Sequence, residues 1–233
     1  MATWLGHARE RAIDFFFPSH CIGCGRSGTF LCDSCQCTLS RIVPPICNKC
    51  GRPESTGTFC PTCWGWESQI DGIRSPFRFD GVIRQAIHEL KYRNLRAIAS
   101  HLAGLLYIYL QTSPITGDIL IPVPLHVKRL RYRGYNQSNL IARYLGELTG
   151  LLVVEGCLIR VKDTPSQART ENVDERHRNV INAFSYTKER INGKGVLLID
   201  DVCTSGATLE ACATVLKSAG ASSVWGLTLA REI

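Results

Sequence analysis

The stretch that decides the fold is 195–212, which reads GVLLIDDVCTSGATLEAC. An apolar run at 196–199 ends in Asp200 and Asp201, and a turn of small and hydroxyl residues then opens a helical pattern. Continuous apolar runs of this length are typical of parallel sheets whose two faces are both covered by helices. The stretch therefore predicts a strand, a turn and a helix, with two carboxylates at the carboxyl end of the strand.

The turn at 204–208 has the composition of a phosphate-binding loop. It offers successive backbone N–H groups and hydroxyls at the start of a helix, where an anion is stabilised. Asp200 and Asp201 suit either the vicinal hydroxyls of a ribose or a Mg²⁺ ion, held directly or through its water shell. The alternative is a plain strand, turn and helix in which Asp201 caps the helix. The candidate anion-binding residues are Thr204, Ser205, Gly206, Ala207 and Thr208.

Alternating strands and helices extend over residues 71–233 and predict an α/β domain with a parallel sheet flanked by helices. The predicted strands are 75–79, 118–124, 151–161, 195–200 and 222–230, and the predicted helices are 81–92, 95–111, 136–149 and 206–219. Residues 1–70 are predicted to form a separate unit, with an amphipathic helix at 1–17 followed by a Cys-, Gly- and Pro-rich segment.

Nine of the twelve cysteines lie between residues 21 and 63, mostly as CxxC pairs. Each pair lets two thiolates reach one tetrahedral ion from a tight turn, so the segment predicts two structural zinc ions. Sequential and interleaved sharing of the ions both fit the spacing. Cys37 is predicted to be a spare thiol, and Cys157 and Cys212 to be core residues. The candidate zinc ligands are Cys21, Cys24, Cys32, Cys35, Cys47, Cys50, Cys60 and Cys63.

The composition favours a cytoplasmic protein that binds an anion. The formal net charge is +7, and almost all of the excess lies in 71–233, where 21 basic residues face 15 acidic ones. No apolar run reaches the length of a membrane helix, and the first twenty residues lack the apolar core of a signal peptide. We therefore expect no stable insertion into a membrane.

Two basic stretches, 121–143 and 160–184, are predicted to be loops that bind anionic groups. The first contains Lys128, Arg129 and Arg133, and the second contains Arg169 within a polar connection of about 25 residues, a length that suggests a lid. Arg131 and Arg143 are predicted to be ordinary surface charges. Cationic side chains are the partners that a pyrophosphate group requires.

The segment 196–208 resembles the phosphoribosyl pyrophosphate (PRPP) signature of type I phosphoribosyltransferases: four apolar residues, two acids, two variable residues and then TSGAT. The resemblance implies that Asp200 and Asp201, the candidate catalytic residues, hold the ribose hydroxyls. It also implies that the loop at 204–208 binds the 5′-phosphate, with Mg²⁺ accompanying PRPP. Cys203 occupies a variable position and receives no chemical role.

The whole chain resembles the ComF (ComFC/GntX-like) family. The motifs that carry this resemblance are ELKYRN at 89–94, IPVPLHVKRLRYRGYNQ at 121–137, TPSQART at 164–170 and the leading CxxC pairs. Asn94 departs from the family, which usually has a small residue there. The resemblance implies a type I phosphoribosyltransferase-like fold with a zinc-binding module, a role in DNA uptake and natural transformation, and an approach of Lys91 to the active site.

Three functions follow from these observations. The first is a Mg²⁺-dependent, PRPP-binding phosphoribosyltransferase-like protein. The second is a single-stranded DNA-binding competence protein that PRPP regulates, because Tyr132 and Tyr135 are interleaved with arginines. The third is a nucleobase salvage enzyme. Possible partners are PRPP, single-stranded DNA and proteins of the uptake machinery. The zinc module is expected at the position of the acceptor-binding hood, and Trp64 and Trp66 are expected to pack at the domain junction.

Overall fold

The computed structural model describes residues 19–65, 67–163, 182–187 and 191–233. The predictions made for the helix at 1–17, for Trp66 and for Arg169 lie outside these residues. The same holds for most of the second basic stretch.

Six strands of the described chain form one parallel sheet. The described strands are β1 (Gly72–Arg74), β2 (Phe77–Arg78), β3 (Ile119–Pro122), β4 (Leu152–Val153), β5 (Leu158–Arg160), β6 (Phe184–Tyr186), β7 (Gly195–Cys203) and β8 (Ser223–Arg231). The strand order in the parallel sheet is β1–β8–β7–β3–β4, and β2 also pairs with β8. Strands β5 and β6 form a separate antiparallel pair.

The central strand β7 is apolar along its first half because helices cover both of its faces. Val196 and Leu198 point into the core on one face, and Leu197 and Ile199 point into the core on the other. Since side chains of a strand alternate between faces, only a sheet covered on both sides keeps four consecutive apolar residues buried. The predicted α/β parallel sheet is confirmed.

The helices divide between the two faces of the sheet. The described helices are α1 (Asp33–Cys37), α2 (Gly81–Tyr92), α3 (Ile98–Thr112), α4 (Val127–Arg133), α5 (Gln137–Thr149) and α6 (Ala207–Ser218). Leu90 of α2, Leu102 of α3 and Leu145 of α5 are buried on one face. Leu209 and Leu216 of α6 are buried on the other face.

Two predicted strands are interrupted in the structure. The strand predicted at 75–79 is replaced by β1 and β2, which flank Ser75 and Pro76. The strand predicted at 151–161 is divided into β4, which pairs with β3, and β5, which pairs with β6. Gly156 lies between them with φ of +78°, a conformation that turns the chain away from the main sheet.

The first basic stretch contains a helix, which corrects the prediction of a loop. Helix α4 begins after His126, whose Nδ1 accepts a hydrogen bond of 3.4 Å from the backbone N–H of Lys128. It ends at Gly134, which has φ of +79°. A side-chain acceptor just before the first residue is a start signal for a helix, and a left-handed glycine just after the last residue is a stop signal.

The cysteine-rich segment packs against the sheet domain at several places along its length. Cys21 and Leu31 join the same buried core as helices α2 and α3, and Thr29 Oγ1 lies 3.1 Å from His101 Nε2 of α3. Further along, the backbone N–H of Ile73 in β1 donates to the carbonyl of Lys49 at 2.8 Å.

Within the described residues, the helices are too short or too polar to cross a bilayer.

Candidate functional site

A cleft with a volume of about 560 Å³ opens at the carboxyl ends of β3 and β7. This edge is where ligands bind in open α/β sheets. It brings together most of the residues that the sequence indicated. The predicted site residues that line it are Lys91, Arg129, Arg133, Asp200, Asp201, Thr204 and Thr208.

The two carboxylates lie side by side at the floor of the cleft, in different environments. Asp201 is buried, and its Oδ1 lies 2.6 Å from Lys91 Nζ. Its other oxygen, Oδ2, is buried and has no hydrogen-bond partner in the described chain. Asp200 is half-buried, and its Oδ1 accepts hydrogen bonds from Ser138 Oγ at 2.8 Å and from the backbone N–H of Asp201 at 2.9 Å.

Burial and the neighbouring charge of Asp201 raise the pKa of Asp200 to about 7, although Lys91 and Ser138 act in the opposite direction. One lysine therefore does not balance the two acids. An additional hydrogen-bond donor or a cation at this position would favour the ionised form of Asp200. The unpaired oxygen of Asp201 together with the oxygens of Asp200 is a donor set that a hard cation such as Mg²⁺ prefers.

The loop at 204–208 connects β7 to α6 and has the form expected of an anion-binding turn. Gly206 has φ of +88°, which places successive backbone N–H groups along the start of the helix. A Cβ atom added there would lie 3.0 Å from Ile73 Cδ1, so the space behind the loop is filled. Ser205 Oγ accepts a hydrogen bond of 3.3 Å from the backbone N–H of Ala207, which keeps the turn closed.

The predicted cationic residues do not all reach the cleft. Arg129 and Arg133 line it, and Arg133 also donates to Gln137 Oε1. Lys128 is outside the lining; its side chain is 74% exposed and its Nζ lies 3.3 Å from Asp163 Oδ2. Its proposed role in binding stays a prediction.

Arg160 is a cleft residue that sequence reasoning did not single out. It lies at the end of β5, is buried, and stacks over the ring of Phe184 at 5.4 Å. Burial and the positive charge of Arg129 lower its pKa. A basic residue at the end of a strand, just before a polar connection, was the available signal.

Aromatic residues form a second side of the cleft. Phe79, His88 and Tyr92 line it together with Tyr132 of α4. Tyr135 does not share this exposure: it is buried and its hydroxyl donates to the carbonyl of Leu90. The interpretation of Tyr135 as a stacking residue is therefore wrong.

The cysteine-rich segment contacts the sheet domain beside this cleft without lining it. Among the described residues that line it, none falls within 19–65, so the prediction that the zinc module supplies the acceptor-binding hood is wrong for that part of the chain. Trp64 is 75% exposed rather than packed at the domain junction. Helices α2 and α4 contribute lining residues to the cleft instead.

The eight paired cysteines form two groups, each made of consecutive pairs. The first contains Cys21, Cys24, Cys32 and Cys35, and the second contains Cys47, Cys50, Cys60 and Cys63. The sulfur atoms of each group lie within 4.8 Å of one another. A tetrahedral Zn²⁺ with Zn–S bonds of about 2.3 Å places its sulfurs about 3.8 Å apart, so both groups fit the ion.

The sequential arrangement of pairs settles an alternative that the spacing alone left open. The sulfurs of Cys50 and Cys60 are 3.7 Å apart, and those of Cys24 and Cys32 are 3.6 Å apart. Cys37 is exposed and belongs to neither group, as predicted for a spare thiol. Cys157 and Cys212 are fully buried, as predicted for core residues.

Comparison with known proteins agrees with this architecture. The sequence models of two families match the chain: "Double zinc ribbon domain" at residues 12–64 and "Phosphoribosyl transferase domain" at residues 91–232. Competence protein F from Haemophilus influenzae is 30% identical over 231 residues, which cover 92% of this chain and 99% of that protein. The chain belongs to the ComF family.

Other ComF-type relatives are similar over most of their length. Competence protein ComFC from Bacillus subtilis is 29% identical over 87% of this chain and 84% of that protein. DNA utilization protein YhgH from Salmonella typhimurium is 28% identical over 87% and 91%. Among solved structures, glutamine PRPP amidotransferase from B. subtilis is 25% identical over 57% of this chain and 26% of that chain, with a TM-score of 0.39. The resemblance to ComF proteins drawn from the motifs is confirmed.

Proposed function

We propose that this ComF-family chain is a Mg²⁺-dependent PRPP-binding protein with phosphoribosyltransferase chemistry, acting in bacterial DNA uptake. The observation that carries the proposal is the pair Asp200 and Asp201 at the floor of a cleft of about 560 Å³, with the turn at 204–208 following after two intervening residues of the chain. The proposal also divides the chain into a zinc-binding unit at 1–70 and a phosphoribosyltransferase-like unit at 71–233.

The 5′-phosphate of PRPP binds the backbone N–H groups of the loop at 204–208 and the hydroxyls of Thr204 and Thr208. The start of α6 adds the favourable end of its dipole to this site. The ribose hydroxyls donate to Asp200 and Asp201, whose carboxylates lie at the end of β7. The free Oδ2 of Asp201 supports this assignment, because a buried carboxylate oxygen without a partner in the described chain calls for a donor from a ligand.

The pyrophosphate group lies toward the basic side of the cleft, near Arg129, Arg133 and Arg160. In the transfer step, the bond from C1 of the ribose to the pyrophosphate oxygen breaks, and its electron pair leaves with pyrophosphate. A nucleophile then donates an electron pair to C1 and forms the new bond. The arginines stabilise the charge that develops on the leaving group. Asp200 and Asp201 would hold Mg²⁺, directly or through the water shell of the ion, and the bound ion would supply charge neutralisation to the leaving group.

Phosphorus NMR of PRPP with Mg²⁺ and the purified chain tests this proposal. The acceptor panel contains free nucleobases and single-stranded DNA. Release of pyrophosphate that depends on the protein and on one acceptor would establish the transferase. Shifted PRPP signals without turnover would reduce the proposal to a binding protein, and unperturbed PRPP signals would refute it.

A matched pair of variants locates the ligand. Asp200→Asn keeps the shape of the side chain and removes its charge, so PRPP affinity should fall about tenfold or more, the usual loss for a charge-assisted hydrogen bond. Glu147→Gln removes a negative charge from an exposed position of α5 outside the cleft and should leave affinity unchanged. Equal affinities in the two variants would reject the assignment of the site.

The second candidate is a single-stranded DNA-binding protein in which PRPP is a regulatory ligand. It is favoured by α4, where two basic residues and one aromatic residue are exposed on the same helix, namely Lys128, Arg131 and Tyr132. If this candidate is correct, the affinity for single-stranded DNA should fall steeply as the salt concentration rises and should change when PRPP is added. The third candidate, nucleobase salvage, would instead give turnover with one free base and no effect of DNA.

A further inference from the structure

We propose that Tyr92 and Tyr132 form a stacking site for a planar heteroaromatic base at the acceptor side of the cleft. The inference rests on the proposed function, because it names the class of molecule that meets C1 of the bound ribose. The ligand is a nucleobase, either free or exposed on a single strand. In the sequence-based prediction, a hood formed by the zinc module had the role of binding the acceptor.

The position of Tyr92 connects it to the reacting centre. Tyr92 directly follows Lys91 in α2, and Lys91 Nζ lies 2.6 Å from Asp201 Oδ1. Both tyrosines line the same cleft as Asp200 and Asp201. A base stacked on them is therefore in the cavity where the ribose is proposed to bind.

The exposure of the two rings indicates a partner outside the chain. Tyr132 is 92% exposed and Tyr92 is 64% exposed, although both line a concave surface. Aromatic rings of this size are the side chains that bases stack on, because every base offers a π-face of similar extent. Tyr132 makes no hydrogen bond or ring contact within the described chain, so packing does not explain its position.

The surroundings of the rings suit a planar heteroaromatic ligand. The guanidinium of Arg133 lies 5.5 Å from the centre of the Tyr92 ring, and a cationic plane of this kind also stacks on bases. The ring of His88 meets Tyr92 edge-on at 5.4 Å. Burial, followed by the charges of Arg84 and Lys91, lowers the pKa of His88, so at neutral pH it offers a hydrogen bond without a positive charge.

The site can be tested with 2-aminopurine, whose fluorescence is quenched on stacking. The probe is used in two forms, as the free base and within a short oligothymidylate, each with and without PRPP and Mg²⁺. The wild-type chain should quench one or both forms with saturation. Saturation by the free base alone assigns a small acceptor, and saturation by the oligomer alone assigns a single strand.

Variants identify the residues that bind the probe. Tyr132→Ala should weaken binding about tenfold, the usual effect of removing one stacking ring, and Tyr132→Phe should retain it. Tyr144→Ala is the matched control, because Tyr144 is 36% exposed on α5 and does not line the cleft. Calorimetry should find the same PRPP affinity in Tyr144→Ala as in the wild type.

The outcomes separate this inference from the proposed function. If Tyr132→Ala and Tyr92→Leu both bind the probe as tightly as Tyr144→Ala, the stacking site is refuted while PRPP binding stands. The stacking site is also refuted if the chain binds PRPP but does not quench the probe saturably. If the probe binds through Tyr132 but PRPP does not bind, the proposed function fails and the base site stands by itself.

Discussion

Replacing Arg231 with methionine tests a connection between the second cysteine group and the phosphate loop. Arg231 is 1% exposed; its Nη1 donates to the carbonyl of Cys50 and lies 3.2 Å from Cys203 Sγ. Cys50 belongs to the second cysteine group, and Cys203 ends β7 one residue before Thr204. One buried side chain therefore joins the backbone of the zinc ribbon to the base of the loop.

The size of the effect follows from what the substitution leaves behind. Methionine fills most of the same space but cannot donate to the carbonyl of Cys50. A buried carbonyl left without its partner costs about 1–3 kcal/mol. The loss is partly offset because Arg231 Nε, which is buried and unpaired within the described chain, is removed as well. We expect the free energy of unfolding to fall by about 1–2 kcal/mol.

Three measurements on Arg231→Met check this expectation: urea unfolding, zinc release to a chromogenic chelator, and PRPP affinity by calorimetry. Zinc should leave one group faster, and PRPP affinity should fall several-fold. Arg143→Met is the control, because Arg143 is 58% exposed and its surface pair with Glu155 is worth at most about 1 kcal/mol. If Arg231→Met unfolds and releases zinc as the wild type does, the connection is refuted. If the variant is less stable but binds PRPP with unchanged affinity, the link between this connection and the loop is refuted.

Three other predictions address the acid pair, the loop glycine and the cysteines. Because the pKa of Asp200 is raised to about 7 in the fold, the folded chain binds a proton that the unfolded chain releases near pH 4. The free energy of unfolding should therefore fall as pH rises from about 4 to 7. Urea titrations should show a weaker dependence on pH in Asp200→Asn. The same pH dependence in the variant and in the wild type would contradict the assignment to Asp200. Gly206→Ala and Gly150→Ala both put a side chain at positive φ, each at a cost of about 1–2 kcal/mol, but only Gly206→Ala should also weaken PRPP binding in calorimetry. Equal PRPP affinities in the two glycine variants would argue against the loop. Cys50→Ser should lower both zinc content and melting temperature, since structural zinc contributes folding free energy, whereas the exposed Cys37→Ser should change neither. Equal zinc content in these two variants would exclude Cys50 as a ligand.

The sequence predicted the sheet and the acid–turn segment because both depend on local patterns. The apolar run before Asp200 needs two covered faces, and the turn at 204–208 needs a glycine at positive φ. CxxC spacing likewise predicted eight metal ligands. What the spacing could not give was which pairs share an ion, since that depends on how the chain folds back between Cys24 and Cys32.

Residues brought together by tertiary packing were the ones that sequence reasoning missed. Arg160 enters the cleft only because β5 leaves the main sheet to pair with β6. Tyr135 sits in a motif that alternates arginine and tyrosine, yet helix α4 ends at Gly134 and directs its ring into the core. The exposure of Trp64 follows from the direction in which the ribbon is attached, and no local pattern encodes that direction.

The place of β8 in the sheet has a consequence for the order in which the chain becomes structured during its synthesis. Each cysteine group closes within a short segment, so both can form around their ions as soon as they leave the ribosome. Strands β1 and β2, in contrast, pair with β8, which is made about 150 residues later. At ~5–20 residues per second this is a delay of about 8–30 s, during which the first strands of the sheet lack the strand with which they pair. During this time the zinc ribbons are the folded part of the chain next to β1 and β2. The hydrogen bond between Ile73 and Lys49 can hold β1 in place until β8 has been synthesised.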